Sequence, residues 1–199
     1  MAMPGAGKTT LLVQMVERKL KAGGRALIID PDGAEPAWEK YKRIDNLDNL
    51  KSDWKGAVVV DYDEKQGKVA DTFDRLWSMV KAGKFKNFTL VLDDPNVYAI
   101  DKVIPGLKNL LRRKRQHNYD ILTTAHNWGE TPLGFLRFID VWIIGPTSAG
   151  PEERSSNLGR DAVKIHKQWK DRADQEATAA KKAGRNHKFL AYTKDGSVL

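Results

Sequence analysis

Ala2-Met3-Pro4-Gly5-Ala6-Gly7-Lys8-Thr9-Thr10 is the stretch on which the reading of this chain turns. It follows the spacing G-x-x-x-x-G-K-[ST], the P-loop pattern, with Ala2 in the first glycine slot. Gly5 and Gly7 permit the tight backbone curl that aims successive N–H groups inward, toward an anion. Lys8 adds a point charge suited to the β- and γ-phosphates of a nucleotide, and the Thr9 hydroxyl suits a Mg²⁺ ion. Pro4, Ala6 and Thr10 complete the expected cradle. The amphipathic run Thr9–Ala22 predicts a helix stopped by Gly23-Gly24, and its N-terminal end carries positive partial charge toward the same anion. A loop of this kind normally hangs from a buried parallel strand, yet only Met1 precedes it. The expectation is a natural protein that starts several residues earlier and carries a first core strand there.

Working outward, 199 residues with 41% apolar and 30% charged content suit one globular domain spanning 1–199. With no cysteine, disulfides and thiolate metal sites are excluded, and an intracellular setting fits. No apolar run approaches the ~20 residues a bilayer-crossing helix needs, and no secretory leader is visible. A formal net charge of +8 points to a polyanionic partner, though surface charge kept for solubility accounts for it equally.

Short apolar runs rich in β-branched residues alternate with helical stretches. The runs are Arg25–Asp30, Ala57–Tyr62, Phe88–Asp94, Asp120–His126 and Val141–Gly145, with Lys188–Thr193 as a last candidate. Near-continuous apolar strands imply burial on both faces, so the expected fold is α/β, a mostly parallel sheet covered by helices on both sides. Helices are expected over Glu35–Tyr41, Lys68–Ala82, Lys102–His117 and Pro132–Phe138. Residues 148–187 are poor in large aliphatics and read as a polar, basic, partly helical excursion before the final strand.

Phe88-Thr89-Leu90-Val91-Leu92-Asp93-Asp94 is an apolar strand closed by two carboxylates, a Walker B pattern. Asp93 would reach a metal bound through Thr9, and Asp94 would polarise an attacking water, although an Asp turn before Pro95-Asn96 gives the same letters. The run Asp120–His126 carries Thr124 and His126 at its end, with Asn127 next. His126 or Asn127 there could hydrogen-bond a phosphate or the lytic water; a satisfied structural histidine is the plainer alternative. Lys108, Arg112, Arg113, Lys114 and Arg115 crowd one helix end. An arginine there can reach a neighbouring subunit's nucleotide, while a solvated face or a nucleic-acid contact explains the run as well. Asp30-Pro31-Asp32-Gly33 ends a strand where ligands of open α/β sheets bind, or simply makes a turn. Residues 150–199 hold eleven Lys and Arg against seven Asp and Glu, with His166 and Trp169 among Lys164, Lys167, Lys170 and Arg172. That segment suits either a phosphate backbone or a helix packed through Trp169.

In this order the pieces resemble the FtsK–HerA superfamily of hexameric P-loop ATPases, above all small viral genome-packaging ATPases, with Zot-like phage proteins next. The resemblance runs from Ala2 to about Pro146 and rests on the loop, the Asp30–Gly33 turn, the Walker B strand and a block after it. That block is Leu110-Leu111-Arg112-Arg113-Lys114-Arg115, then Ile121-Leu122-Thr123-Thr124-Ala125-His126, then Ile139-Asp140-Val141-Trp142-Ile143-Ile144. Arg115 falls on the family's arginine and His126 takes the place of its sensor glutamine; Ala2 and Asp94 are further departures. The resemblance implies a RecA/ASCE-like fold, ATP and Mg²⁺ as cofactors, and hydrolysis that drives DNA into a capsid. Lys8, Asp94, His126 and, in trans, Arg115 (Arg112 in reserve) would be catalytic; Thr9 and Asp93 would serve the metal. It further implies a homo-hexameric ring on DNA without sequence preference, a capsid or portal-like partner, and a place in the host cytoplasm or with the virion. Zot-like members carry a membrane-spanning segment, which is missing from this sequence. A small P-loop kinase and a non-hydrolysing nucleotide-dependent switch are the alternative readings.

Overall fold

In the computed structural model, residues 7–30, 35–61, 68–94 and 104–199 are described. Most of the loop quoted above, Ala2, Pro4, Gly5 and Ala6, therefore lies outside the described residues, as do Asp32 and Gly33. Two compact units form: Thr9–Thr124, and Ala125–Leu199 together with Met1–Lys8.

The larger unit is built on a five-stranded sheet in the order β2-β3-β1-β4-β5, every neighbouring pair parallel. Its strands are β1 (Arg25–Asp30), β2 (Lys42–Ile44), β3 (Gly56–Asp61), β4 (Phe88–Leu92) and β5 (Tyr119–Thr123). Ala26 through Ile29 and Leu90 through Leu92 are fully buried whichever way they point, as expected of parallel strands covered on both faces. The amphipathic run of the first helix, α1 (Lys8–Lys21), places Leu12 and Val16 against Ala26, Ile28, Ala57, Val59 and Val91. Those five alternate along three adjacent strands in register, so they share one face of the sheet. Gly23, at φ 77°, ends α1: its N–H reaches the Leu20 carbonyl and that of Gly24 the Lys19 carbonyl, a left-handed stop that a side chain would strain.

Two further helices, α2 (Lys68–Lys81) and α3 (Pro105–Arg113), pack on each other through a close approach at Gly106. A Cβ there would lie 2.5 Å from the Asp74 nitrogen and the Phe73 carbonyl carbon, so only glycine lets the two backbones meet at this distance. Phe73, Leu76, Leu107 and Leu110 are fully buried on these helices.

The smaller unit holds the antiparallel pair β6 (Val141–Ile144) and β7 (Leu190–Thr193), with α4 (Leu133–Leu136), α5 (Ser155–Leu158) and the long α6 (Arg160–Lys182). Trp128, Trp142, Trp169 and Tyr192 form its core, with Trp169 stacked on Tyr192 at 4.8 Å and Trp128 on Trp142 at 4.8 Å. His166 sits among them, 1% exposed. Burial of His166 and Trp169 selects the packing alternative for the α6 aromatics.

The α/β class and the parallel sheet match expectation, with two departures. The last two apolar runs pair antiparallel, and β6 buries only alternate residues, the mark of a strand covered on one face. Over Glu35–Tyr41 the expected helix is one 3₁₀ turn, Pro36–Trp38, started by the Glu35 carboxylate accepting from the Ala37 N–H at 3.2 Å, and the chain then extends into β2. Trp38, Tyr41 and Ile44 recur every third residue and mimic a helical stripe, while β2 is too short to display alternation.

Candidate active site

Parallel strands that start level also end level, and the exit of β4 is where polar groups converge. Asp93 follows the last residue of β4 and is 9% exposed. Its Oδ1 accepts the Thr124 hydroxyl at 2.8 Å and its Oδ2 accepts the Trp38 indole N–H at 3.3 Å. The Asp94 N–H donates to the same Thr124 oxygen at 3.0 Å, so that hydroxyl is held as acceptor on one side and donor on the other. Burial pushes the Asp93 pKa up; the bonds from Thr124 and Trp38 pull it back, and the charges of Asp94 and Asp30 push it up again. Asp94 adopts φ 44°, a left-handed conformation that costs a non-glycine residue about 1 kcal/mol or more.

Trp38 was invisible as a site residue in the sequence. Its ring is fully buried in the cluster that also holds Leu12 and Val16 of α1, so one side chain spans the helix after the loop and the carboxylate of β4. The available signal was a tryptophan falling just after a strand exit, with an indole N–H that burial obliges to find an acceptor. Arg43 on β2 was missed as well. It pairs with Asp30 at 2.9 Å and with Asp61, binding the exits of β1 and β3. Asp30 is 1% exposed and is the more deeply buried of the two carboxylates that Arg43 pairs with.

Among the P-loop residues that are described, Gly7 has φ 84° and Lys8, Thr9 and Thr10 open α1, whose first turn contains no acid to offset its positive end. In the smaller unit, Lys8 Nζ lies 3.2 Å from His126 Nδ1. An ammonium can only donate, so this bond calls for a neutral imidazole carrying its proton on Nε2. Asn127 turns away from such a role: its Oδ1 accepts from the Glu130 N–H and its carbonyl from the Thr131 hydroxyl.

Arg115 stands apart from the carboxylates. It lies in the turn after α3, four residues before the first residue of β5, whereas Asp93 lies just past the last residue of β4. Since Phe88 pairs with Tyr119 and Leu92 with Thr123, the two occupy opposite ends of the sheet, about 15 Å apart along the strands. Arg112, on the exposed side of α3, shares that far end.

Oxygen ligands fit a hard cation, and Asp93 is a buried carboxylate whose two described side-chain donors, Thr124 and Trp38, are both neutral. Among the described residues no group of three or more His, Cys, Asp or Glu side chains could cage a metal. The donor set therefore suits Mg²⁺, which keeps most of its shell as water and phosphate, better than a metal caged by protein alone.

No protein-family model matches the chain, and no curated protein matches it. Solved structures do. The genome packaging NTPase B204 from Sulfolobus turreted icosahedral virus 2, in complex with sulfate, superposes with a TM-score of 0.68 at 18% identity, covering 99% of this chain and 90% of that one. The same NTPase in complex with ATP-gammaS gives 0.64 at 17% identity over 99% and 91%. B204 described as the DNA-packaging ATPase from Sulfolobus turreted icosahedral virus gives 0.63 at 19% identity over 99% and 91%. At these identities the likeness is one of fold: the chain has the α/β fold of the B204 NTPase. No helix among the described residues is long and apolar enough to cross a membrane.

Proposed function

We propose that the chain is a Mg²⁺-dependent ATPase that hydrolyses ATP to move DNA, working as a ring of identical subunits, by analogy six, that fills a viral capsid. The observation that carries this reading is the 3.2 Å contact between Lys8 and His126, 118 residues apart, which joins the loop's cation to the polar side chain beyond β5. The fold shared with the B204 packaging NTPase, which has been seen with AMP, ATP-gammaS and AMPPCP, supports it.

In this reading the backbone of residues 4–8 and the N-terminal turn of α1 grip the phosphates, with Thr10 at their edge. Thr9 and, through water, Asp93 would hold Mg²⁺, which supplies charge neutralisation at the β- and γ-phosphates when bound. Lys8 leaves His126 for the γ-phosphate when the triphosphate enters, so His126 reports whether the terminal phosphate is present. Asp94 orients the attacking water and takes its proton. Arg115 sits too far from Asp93 to act within its own subunit, which leaves it for the nucleotide of a neighbour.

The deciding experiment measures ATP turnover by wild type and Lys8→Ala, with and without duplex DNA. Wild type turns over and is stimulated by DNA, and Lys8→Ala loses on the order of 100-fold or more. Equal rates for the two proteins reject the site. ATP binding with no multiple turnover, even with DNA present, selects the nucleotide switch, and phosphate transfer to a small acceptor independent of DNA selects the kinase.

A further inference from the structure

Four of the five strand entries of the larger unit start level: residues 18–25 into β1, 51–56 into β3, 81–88 into β4 and 112–119 into β5, while the edge strand β2 starts two residues further along, where Lys42 pairs with Val58. Their ends are level, since Arg25 pairs with Gly56, Ala26 with Thr89 and Phe88 with Tyr119. All strands run parallel, so the four segments share one rim. Together they contain 13 Lys and Arg and a single acid, Asp53. The whole chain has 34 Lys and Arg against 26 Asp and Glu, so everything outside the four segments holds 21 against 25 and is net acidic. The entire basic surplus of the protein lies on this rim.

Helix ends explain part of it. Arg18, Lys19, Lys21, Lys81, Arg112 and Arg113 occupy last turns, where cations complement the helix dipole. Arg25, Lys51, Lys55, Lys84, Lys86, Lys114 and Arg115 lie outside any helix and gain nothing of that kind. Arg25 is occupied within the protein, where it donates to the carbonyls of Ser52 and Lys86 and lies 4.0 Å over the Trp54 ring, fastening three of the segments into one surface. Arg18, Lys21, Lys51, Lys55, Lys81, Lys86, Arg112 and Arg113 are exposed. At the opposite rim stand Asp30, Asp61, Asp93 and Asp94.

We propose that the strand-start rim of the larger unit, apart from Arg112 and Arg115 at its β5 end, which are kept for a neighbour's nucleotide, is the surface that holds the nucleic-acid backbone, on the far side of the sheet from the unit's own nucleotide. This rests on the reading of the protein as a nucleic-acid motor and names where the polymer is held. Four strand starts spaced about 4.8 Å apart span about 14 Å, room for some four phosphates along one strand at about 3.4 Å each. Lysine and arginine contacts to phosphate carry no base information, as a motor indifferent to sequence requires. The acidic rim repels the same polymer, which fixes which end of the unit meets it.

The test follows anisotropy of a labelled random-sequence duplex between about 50 and 200 mM salt. One variant is Lys21→Gln/Lys55→Gln/Lys86→Gln; a control, Lys164→Gln/Lys181→Gln/Lys182→Gln, strips the rival basic face of α6. The rim variant loses about 2–3 from the slope of log affinity against log salt, and on the order of 10–100-fold in affinity, while the control binds as wild type. Should the rim variant melt at a lower temperature, Arg18→Gln/Lys51→Gln/Lys81→Gln reads the same surface. A rim variant with wild-type slope, a control that loses as much, or a wild type that does not bind duplex overturns the proposal. All these variants leave Arg112 and Arg115 in place, and their ATP hydrolysis without DNA is measured alongside. Hydrolysis without duplex binding removes the rim and keeps the nucleotide site; duplex binding through the rim without hydrolysis does the reverse.

Discussion

The indole of Trp38 donates to Oδ2 of Asp93 across 3.3 Å, from a ring packed in the same buried cluster as Leu12 and Val16 of α1. One side chain thus sets the carboxylate at the exit of β4 relative to α1. Trp38→Phe keeps an aromatic ring and deletes the donor. A hydrogen bond to a charged group is worth about 1.5–3 kcal/mol, and its length here puts the loss near the lower figure. The Mg²⁺ concentration for half-maximal hydrolysis rises by about tenfold, while ATP binding measured in EDTA stays as in wild type. A Mg²⁺ midpoint that does not move removes Trp38 from the site.

His126→Ala breaks the contact with Lys8 without touching the loop. If His126 senses the terminal phosphate, the variant binds ADP normally and discriminates ATP from ADP less well, with turnover falling about tenfold for a lost bond of roughly 1.5 kcal/mol. Fluorescent-nucleotide titrations with ADP and a non-hydrolysable ATP analogue check it. Undiminished discrimination between the two would return His126 to a purely structural part.

Gly106→Ala tests the fold independently of any function. Its Cβ would fall 2.5 Å from backbone atoms of α2, which cannot retreat as a side-chain tip can. Overpacking of this kind costs about 1–3 kcal/mol, read as a lowered urea midpoint with little change in slope. Full wild-type stability would mean that α2 and α3 stand further apart than described.

Burial lowers the pKa of His166 to about 4, with the Lys194 charge adding to the effect, and Nδ1 is bonded to the Tyr192 hydroxyl. Unfolded, the imidazole takes its proton near 6.5; folded, it resists until about 4. The folded state binds fewer protons across that window, so stability is fullest above pH 6.5 and falls progressively as the pH drops toward 4. The loss approaches about 3 kcal/mol at the acid end. Thermal melts of wild type and of His166→Phe/Tyr192→Phe over this range check it: the double variant, neutral at both positions, melts with the weaker pH dependence. Equal dependence in the two would assign the acid loss to carboxylates.

How legible all this was depended on whether a feature lies along the chain or across it. The sheet was readable because β1, β3 and β4 are covered on both faces, which writes an unbroken aliphatic run into the sequence at each. The pairing of β6 and β7 was not, because an apolar run carries no direction and the pairing of Ile144 with Leu190, 46 residues on, is a tertiary choice. Asp93 and Thr124 were visible at their strand exits, since parallel strands bring such residues to one rim. Trp38 and Arg43 escaped for the opposite reason. Each acts from a short or irregular element, and neither lies in a motif; only coordinates reveal that an indole N–H and a guanidinium meet the rim acids. Arg115 was singled out from a run of basic residues by the resemblance alone, and what the fold adds is the length of β5 between it and Asp93.

The in-register pairing of β4 with β5 has a mechanical consequence. Two ribbons, hydrogen-bonded to each other over five residues and roughly 15 Å long, form a short stiff strut with the paired acids at one tip and a cluster of arginines at the other. Between Tyr119 and Asp93 the connection is hydrogen-bonded backbone with no loop in it, so the acid tip and the strand start that follows the arginines are joined directly along paired strands.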